Sequence, residues 1–307
     1  MKNKFNRTLI VGFVLLQSCA LQPETWHPPQ KPELTGTFKT NNLLESTEWI
    51  DLKGWYGPED IAVGPDCCLY TGVHSEKKNF EDGRILKIDS NGNISTFCNT
   101  GSWVAGLHFD QNGNLIACDS KRGLVKIDPS GNLELLVDQD ENGLPILLPN
   151  DVDIASDGTI YFSNTSSNYN FSMKHARKIL LEIKPDGGLY SYNPKSKEVK
   201  TLIDSSFFGN GVAVSKNDEF VLMVDLSKYR ILRYWLKGEQ QGTTDIFIDN
   251  LPGLPNGIAR RGDGSFWLGF TTRRSDALDK LQPKPTLKKI VYALPVWMQP
   301  KQERFGM

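Results

Sequence analysis

The chain contains five copies of one short pattern, in which an apolar stretch runs into a polar turn. Successive units are offset by 46, 45, 60 and 46 residues, with their turns at Asp66, Asn112, Asp157, Asn217 and Asp263. Repeats of this length are typical of folds built from similar sheets or helix pairs placed side by side. The repeat therefore limits the chain to a modular architecture with at least five units.

Each unit has the alternating pattern of a β-strand just before its turn. The apolar residues at alternate positions are Ile61 and Val63, Leu107 and Phe109, Val152 and Ile154, and Val212 and Val214, while the fifth unit keeps only Ile258. Period-two alternation predicts strands. A second apolar pair follows each turn, and two more candidate strands follow in the first four units. Four antiparallel strands per unit predict an all-β fold of the β-propeller type.

The residues seven positions before the turns are a second regular feature. If the first strand of each unit lines the central axis, these residues converge at one end of a channel. Four of them carry side-chain oxygen, and the fifth is Ala105; the four are Glu59, Asn150, Asn210 and Asn256. Such oxygens suit Ca²⁺, which binds about six to eight of them at about 2.3–2.6 Å. The sequence therefore predicts a calcium site.

A simpler interpretation of two of these residues stays open. Asn210-Gly211 and Asn256-Gly257 are pairs that commonly form tight hairpin turns without any ligand. However, Glu59 and Asn150 share the same offset and have no following glycine. The common offset favours the metal site.

Length and charge exclude some classes of protein. The 307 residues, 39% of them hydrophobic, suffice for one large all-β domain or two ordinary ones and do not indicate disorder. The formal net charge is −1, and residues 1–18 hold three basic side chains and no acidic one. Without that segment the chain is mildly acidic, which argues against a nucleic-acid partner.

The N-terminal region has the pattern of an export signal. Basic residues precede an apolar run over 9–16, which is far shorter than the roughly 20 residues that a membrane span needs. Leu16-Gln17-Ser18-Cys19 resembles a bacterial lipobox, which predicts cleavage after residue 18 and a lipid on Cys19; ordinary secretion is the alternative. We expect an envelope lipoprotein, with Ala20 favouring the outer membrane and a periplasmic orientation.

The predicted export signal fixes the order of the segments along the chain. Residues 1–18 are the signal peptide, and residues 19–44 are a lipidated, proline-rich tether that would be stiff and extended. The propeller domain spans 45–307. In an exported chain a disulfide among Cys67, Cys68, Cys98 and Cys118 is chemically allowed, although spacing chooses no pairing. The alternative is that most of them are small buried hydrophobic residues.

Several segments resemble a known family. Residues 57–63 (GPEDIAV), 150–154 (NDVDI), 230–238 (RILRYWLKG) and 251–255 (LPGLP) resemble strictosidine synthase-like proteins and, more distantly, gluconolactonases and paraoxonases. The resemblance implies a six-bladed propeller with an axial calcium ion, held by residues that match Glu59, Asn150, Asn210 and Asn256. Register and resemblance select the same residues because both rest on the same repeats.

Two departures from the family pattern bear on this expectation. The family usually has Asp-Asn where this chain has Asn256-Gly257, which leaves the site less negative. Relatives also continue beyond the position that matches Gly306. We therefore expect an incomplete propeller with about four complete blades and part of a fifth, lacking most of the last. A strand near residues 48–52 would then have no sheet to join, and the fold would be poorly stable.

The resemblance also implies a chemistry. A calcium ion can polarise a carbonyl oxygen, so the implied activity is hydrolysis of small esters or lactones. Asp151 matches an aspartate that lies at the metal in relatives and is the candidate base or nucleophile; the alternative is a structural carboxylate at the start of a strand. Condensation of the strictosidine synthase type is disfavoured, because the family places its glutamate in the last blade. The competing interpretations are a non-catalytic envelope scaffold and a decayed fragment.

Histidine is the usual proton carrier near neutral pH. We expect His108, which lies between two apolar strand residues, to be a core histidine. His74 follows the second strand of the first unit, and His175 lies in or beside a polar loop, residues 165–178. Neither a Gly-x-Ser-x-Gly elbow nor a Walker loop is present, which weakens serine-hydrolase and nucleotide-driven alternatives.

Overall fold

The computed structural model describes residues 21–75 and 80–294. The predicted signal peptide, residues 1–18, and the predicted lipidation site Cys19 lie outside these residues. Within the described part of the chain, the architecture is all-β with three short helices. No helix there is long and apolar enough to cross a membrane.

The strands form five antiparallel sheets in chain order, and the first four sheets have four strands each. Sheet 1 contains β1 (Ala62–Val63), β2 (Leu69–Val73), β3 (Arg84–Ile88) and β4 (Ile94–Asn99). Sheet 2 contains β5 (Val104–Phe109), β6 (Leu115–Asp119), β7 (Gly123–Ile127) and β8 (Leu133–Val137). Sheet 3 contains β9 (Pro149–Ile154), β10 (Ile160–Asn164), β11 (Gly187–Asn193) and β12 (Glu198–Ser206). Sheet 4 contains β13 (Gly209–Val214), β14 (Phe220–Asp225), β15 (Arg230–Trp235) and β16 (Thr244–Ile248), and sheet 5 contains β17 (Gly253–Arg260) and β18 (Phe266–Arg273).

The first strand of each sheet contacts the first strand of the next, in the order β1, β5, β9, β13 and β17. The sheets are therefore arranged side by side around a common axis, with their innermost strands toward that axis. This is the arrangement of a β-propeller. The predicted all-β fold and the prediction that each repeat begins with an inner strand are confirmed.

Alternation along the inner strands places apolar residues between sheets and polar residues in the channel. In β9, Val152 is buried in a core shared with Ile116 of sheet 2, while Asp151 and Asp153 are half-buried on the other face. A similar core joins Ile85 of sheet 1 to Leu107 of sheet 2. Each pair of neighbouring sheets is thus held by apolar burial, which is the main favourable term in folding.

Three helices and the N-terminal segment lie together at one end of the strands. Helix α1 (Met173–Glu182) follows β10, and helices α2 (Asp276–Leu281) and α3 (Pro285–Ala293) follow β18. β10 ends where Asn164 pairs with Pro149, beside Asn150, and β18 ends where Arg273 pairs with Gly253, shortly before Asn256. The helices therefore lie at the same end of the strands as the predicted ligands. We call α1, α2 and α3 the helical cap.

The segment predicted as a tether packs on this cap. Leu21 has no exposed surface and contacts Leu181, Leu281 and Tyr292, one from each helix. The backbone of the segment is also held, because Gln22 N donates to Glu182 Oε1 at 2.7 Å. Residues 21–32 form no helix or strand, and they are docked on the cap; we call them the strap.

Residues 48–52 form no strand, and the Trp49 side chain is 74% exposed. The four described cysteines are free: Cys98 and Cys118 are buried in the apolar cores, Cys68 is half-buried and Cys67 is exposed. The buried pair fits the alternative of small hydrophobic residues.

Candidate functional site

A cavity of about 460 Å³ lies along the axis between the inner strands. Its wall includes all four predicted metal ligands, Glu59, Asn150, Asn210 and Asn256, together with the predicted catalytic residue Asp151. These residues come from four different sheets or the segments just before them. The fold therefore brings the predicted set together in one cavity, as the equal offsets predict.

The amide of Asn150 is oriented by a neighbouring hydroxyl. Asn150 is 7% exposed, and its Nδ2 donates to Thr165 Oγ1 at 3.1 Å. The Thr165 hydroxyl in turn donates to the carbonyl oxygen of Gly209 at 2.7 Å. Because the amide nitrogen is committed to Thr165, the Asn150 Oδ1 remains available as an acceptor.

The other three predicted ligands have no hydrogen-bonding partner for their side chains among the described residues. Asn210 is 3% exposed as a residue and lines the cavity wall. One carboxylate and three amides facing one cavity offer oxygen to a hard cation, so the residues present fit calcium.

The four predicted ligands carry little negative charge, because only Glu59 can be ionised. Among the described residues no cluster of three or more His, Cys, Asp or Glu side chains could hold a metal ion. Glu59 is open to the channel solvent, yet the surrounding protein raises its pKa to about 7 by desolvation, and the Asp60 charge adds to the rise. The pKa of Glu59 is raised because no positive charge nearby stabilises the ionised carboxylate, and a bound cation would supply such a charge.

Asp151 and Asp60 share one position of the repeat and one structural role. Asp151 accepts the Val212 N–H on Oδ2 at 2.7 Å and the Val152 N–H on Oδ1 at 2.8 Å. Asp60 likewise bridges to the next sheet, because its Oδ2 accepts the Leu107 N–H at 2.9 Å. Each carboxylate therefore ties the inner strand of its sheet to that of the following one.

The environment nevertheless opposes the charged form of Asp151. Desolvation by burial raises the pKa of Asp151 well above its usual range, and the nearby Asp60 charge raises it further, against the two backbone hydrogen bonds. Desolvation also raises the pKa of Asp60. A carboxylate of this kind is a stronger base than one in water, while each of its oxygens keeps a second lone pair.

Glycine occupies the same repeat position in the intervening sheets. A Cβ on Gly106 would lie 2.5 Å from the Cα of Asp151, and one on Gly211 would lie 2.5 Å from the carbonyl oxygen of Asn256. The inner strands thus approach closely between sheets 2 and 3 and between sheets 4 and 5. Carboxylate bridges and close backbone contacts alternate around the axis.

His108 differs from its prediction as a core residue. Its side chain is 44% exposed, it lines the cavity, and its Nδ1 lies 3.3 Å from Asp153 Oδ1. Asp153 is fixed in turn by the backbone N–H groups of Ile154 and Val214, each at 2.7 Å. The signal for this pair is present in the sequence, because His108 and Asp153 lie at equal offsets from Ala105 and Asn150 in neighbouring units.

His74 and His175 lie away from the cavity wall. His74 is 3% exposed, its backbone pairs with Tyr56, and its Nδ1 is buried without a hydrogen-bonding partner among the described residues. His175 lies on α1, and its Nδ1 is 2.8 Å from the carbonyl oxygen of Asn170. The excess residues of the third repeat, predicted as a loop, therefore include a helix that Ser172 caps by accepting the His175 N–H.

Fold and site together define a class: a β-propeller with an oxygen-lined cavity on its axis. Family models of strictosidine synthase and of the N-terminal region of strictosidine synthase-like proteins match residues 150–239 and 36–88. Adipocyte plasma membrane-associated protein from Bos taurus is 30% identical over 306 residues, which cover 93% of this chain and 72% of that protein. Strictosidine synthase-like protein 3 from Arabidopsis thaliana is 32% identical over 282 residues, covering 83% and 69%. The chain belongs to the strictosidine synthase-like family.

Solved structures give the same fold at lower identity. A gluconolactonase from Xanthomonas campestris superposes with a TM-score of 0.56 and 19% identity, covering 71% of each chain. A calcium-binding protein, regucalcin, from Agrobacterium tumefaciens superposes with a TM-score of 0.52 and 16% identity, covering 71% of this chain and 69% of its own. At these identities the likeness concerns the fold alone.

Proposed function

We propose that this chain is a calcium-dependent hydrolase of small esters or lactones. Glu59, Asn150, Asn210 and Asn256 would hold the ion, and Asp151 would be the catalytic carboxylate. The observation that carries the proposal is the set of side-chain oxygens that line one axial cavity without protein partners among the described residues. The gluconolactonase and regucalcin named above share this fold.

The residues divide the work as follows. A bound calcium ion would polarise the carbonyl oxygen of the substrate. Thr165 keeps the Asn150 amide oxygen turned away from its own hydroxyl and available as a ligand. Asp151, fixed by two backbone N–H groups and desolvated, would take the proton from an attacking water on a free lone pair.

The proposal also covers the type of propeller and the cellular location of the protein. We propose that the four four-stranded sheets and the two-stranded sheet of the described residues are blades of a propeller of the six-bladed type. The N-terminal pattern supports an exported lipoprotein anchored through Cys19 in a bacterial envelope, with the domain facing the periplasm.

The test combines metal content and turnover. The purified protein is assayed with aryl esters and with lactones, with and without a chelator, and its calcium content is measured by mass spectrometry. Asp151→Asn should lower kcat by about 10²-fold or more while calcium stays bound. Asp157→Asn, at an exposed turn on sheet 3, is the matched control and should be neutral. Turnover that survives chelation would exclude the proposed mechanism.

One observation favours a second candidate, a non-catalytic binding propeller. Both oxygens of Asp151 already accept a backbone hydrogen bond, so these bonds alone would explain why an aspartate stands here. In that case calcium binds and stabilises the fold, esters and lactones are not turned over, and Asp151→Asn lowers stability instead. Calcium binding with no turnover of either substrate class therefore selects this candidate.

A further inference from the structure

The helical cap has the surface chemistry of a membrane-binding face. Three large apolar side chains on it are exposed to solvent: Met173 at 66%, Leu287 at 41% and Ile290 at 46%. Lys284 and Lys289 lie close to the last two along the chain. Apolar side chains flanked by lysines on a short helix are typical of segments that lie in the interface of a bilayer.

Charge separates this face from the rest of the protein. Residues 172–184 carry four basic and one acidic side chain, and residues 276–294 carry three basic and two acidic ones besides the buried Lys288, whereas the whole chain has a net charge of −1. The cap is therefore positive on a chain that is slightly negative. A surface of this sign is complementary to anionic lipid headgroups.

The two ends of the described chain, together with the predicted lipidation site, favour a bilayer as the binding partner of the helical cap. The described part of the strap begins at Leu21, which is buried against all three helices. The described part of the chain ends at Leu294, directly after α3. The predicted lipidation site, Cys19, is two residues from Leu21, so an anchor there would hold the cap against the membrane surface.

We infer that the helical cap rests on an anionic lipid surface and turns the Asn150 and Asn256 end of the channel toward it. The lipid binding rests on the proposed envelope location, and the substrate class given below rests on the proposed hydrolysis as well. Because the cap lies at that end of the strands, a substrate would reach the cavity from the bilayer. The substrate class is then an amphiphilic ester or lactone.

The test is binding of the full chain to vesicles of phosphatidylcholine containing phosphatidylglycerol, compared with phosphatidylcholine alone, without substrate. Lys284→Gln with Lys289→Gln should weaken binding to the anionic vesicles by roughly tenfold. Leu287→Ser with Ile290→Ser should weaken it on both. The matched control is Lys195→Gln with Lys216→Gln, two exposed lysines at turns on the opposite end of the strands. The control should leave binding unchanged.

Hydrogen exchange of the vesicle-bound protein gives an independent readout that an N-terminal anchor does not mask. Amides of residues 280–291 should exchange more slowly on vesicles, and those of residues 194–198 should not. If the cap exchanges equally fast with and without vesicles, or if cap and control variants bind alike, the inference is wrong. Loss of hydrolysis alone would contradict the proposed function and leave these outcomes unchanged.

Discussion

The His108 imidazole lies against the Asp153 carboxylate inside the axial cavity, with 3.3 Å between Nδ1 of the histidine and Oδ1 of the aspartate. Asp153 already accepts hydrogen bonds from two backbone N–H groups. An ionised carboxylate has no hydrogen to donate, so in its contact with His108 the imidazole must be the donor. The geometry therefore places a proton on Nδ1 and leaves Nε2 for the cavity.

This pair gives the first prediction, which concerns the tautomer. Neutral His108 should carry its hydrogen on Nδ1, because Asp153 accepts it there. Nitrogen-15 NMR of the imidazole distinguishes the two tautomers directly. Asp153→Asn removes the charge that selects this tautomer, so the Nε2–H form should gain population. His175, far from Asp153 in the structure and bonded to a backbone carbonyl oxygen through Nδ1, is the internal control and should not change. A wild-type protein with the hydrogen on Nε2 of His108 would contradict the assignment.

The second prediction compares two glycines at one repeat position. A Cβ on Gly106 would lie 2.5 Å from the Cα of Asp151, which belongs to the backbone and cannot rotate away. Gly106→Ala should therefore destabilise the fold by about 1–3 kcal/mol. A Cβ on Gly257 would meet no atom within 4 Å, so Gly257→Ala should change stability by less than about 0.5 kcal/mol.

Urea unfolding followed by tryptophan fluorescence measures both variants. Equal stability of the two would mean that sheets 2 and 3 do not approach as closely as the structure has them. Such a result would also question the position of Asp151, because the same close approach places it beside the cavity.

The sequence predicted the strands and the convergence of the four candidate ligand residues, because both follow from a fixed repeat. Equal offsets in successive units become equal heights on neighbouring inner strands, so Glu59, Asn150, Asn210 and Asn256 reach one cavity. The same rule extends to His108 and Asp153, whose offsets are equal. His108 was expected in the core because its neighbours along the chain are apolar. However, the face of β5 that carries this histidine lines an open cavity.

The helical cap and the strap were not predictable in this way. Residues 173–182 carry no signal from the repeat, and the proline-rich strap indicates an extended chain without indicating where it docks. The docking depends on tertiary contacts, such as Leu21 against Leu181 and Tyr292. Thr165 was missed for a similar reason, because its role depends on the turn after β10 and not on the inner-strand register.

The third prediction concerns this threonine. Thr165→Val keeps the shape of the side chain but removes the hydroxyl that holds the Asn150 amide. A partner that orients a ligand typically contributes about 10- to 100-fold to metal affinity, so calcium affinity should fall by about tenfold or more. Calorimetric titration with calcium measures the change. Thr244→Val, at an exposed position on β16, is the control and should leave the affinity unaltered. If both variants bind calcium as the wild type does, Thr165 does not orient a ligand.

The fourth prediction is a pH dependence of stability that arises from the strap. Lys288 on α3 has no exposed surface, and its Nζ donates to the carbonyl oxygen of Glu24 at 2.8 Å. Burial and, to a smaller extent, the Lys228 charge lower the pKa of Lys288 to about 8. Above about pH 8 the folded protein has therefore released a proton that the unfolded chain still holds. Stability must then rise with pH between about 8 and 10.5, because the unfolded state binds more protons.

Lys288→Met removes this contribution and should flatten the rise. Each unit of pKa difference corresponds to about 1.4 kcal/mol, so the wild type should gain roughly 1–2 kcal/mol relative to the variant between pH 8 and 9.5. Urea unfolding at the two pH values measures this difference, and other titrating groups cancel in the comparison. Lys216→Met, at an exposed turn, should behave as the wild type. Parallel pH dependences for the wild type and Lys288→Met would mean that Lys288 is solvated in solution, so that the strap does not cover it. Residues 21–32 would then be free of the cap, as a simple tether would be.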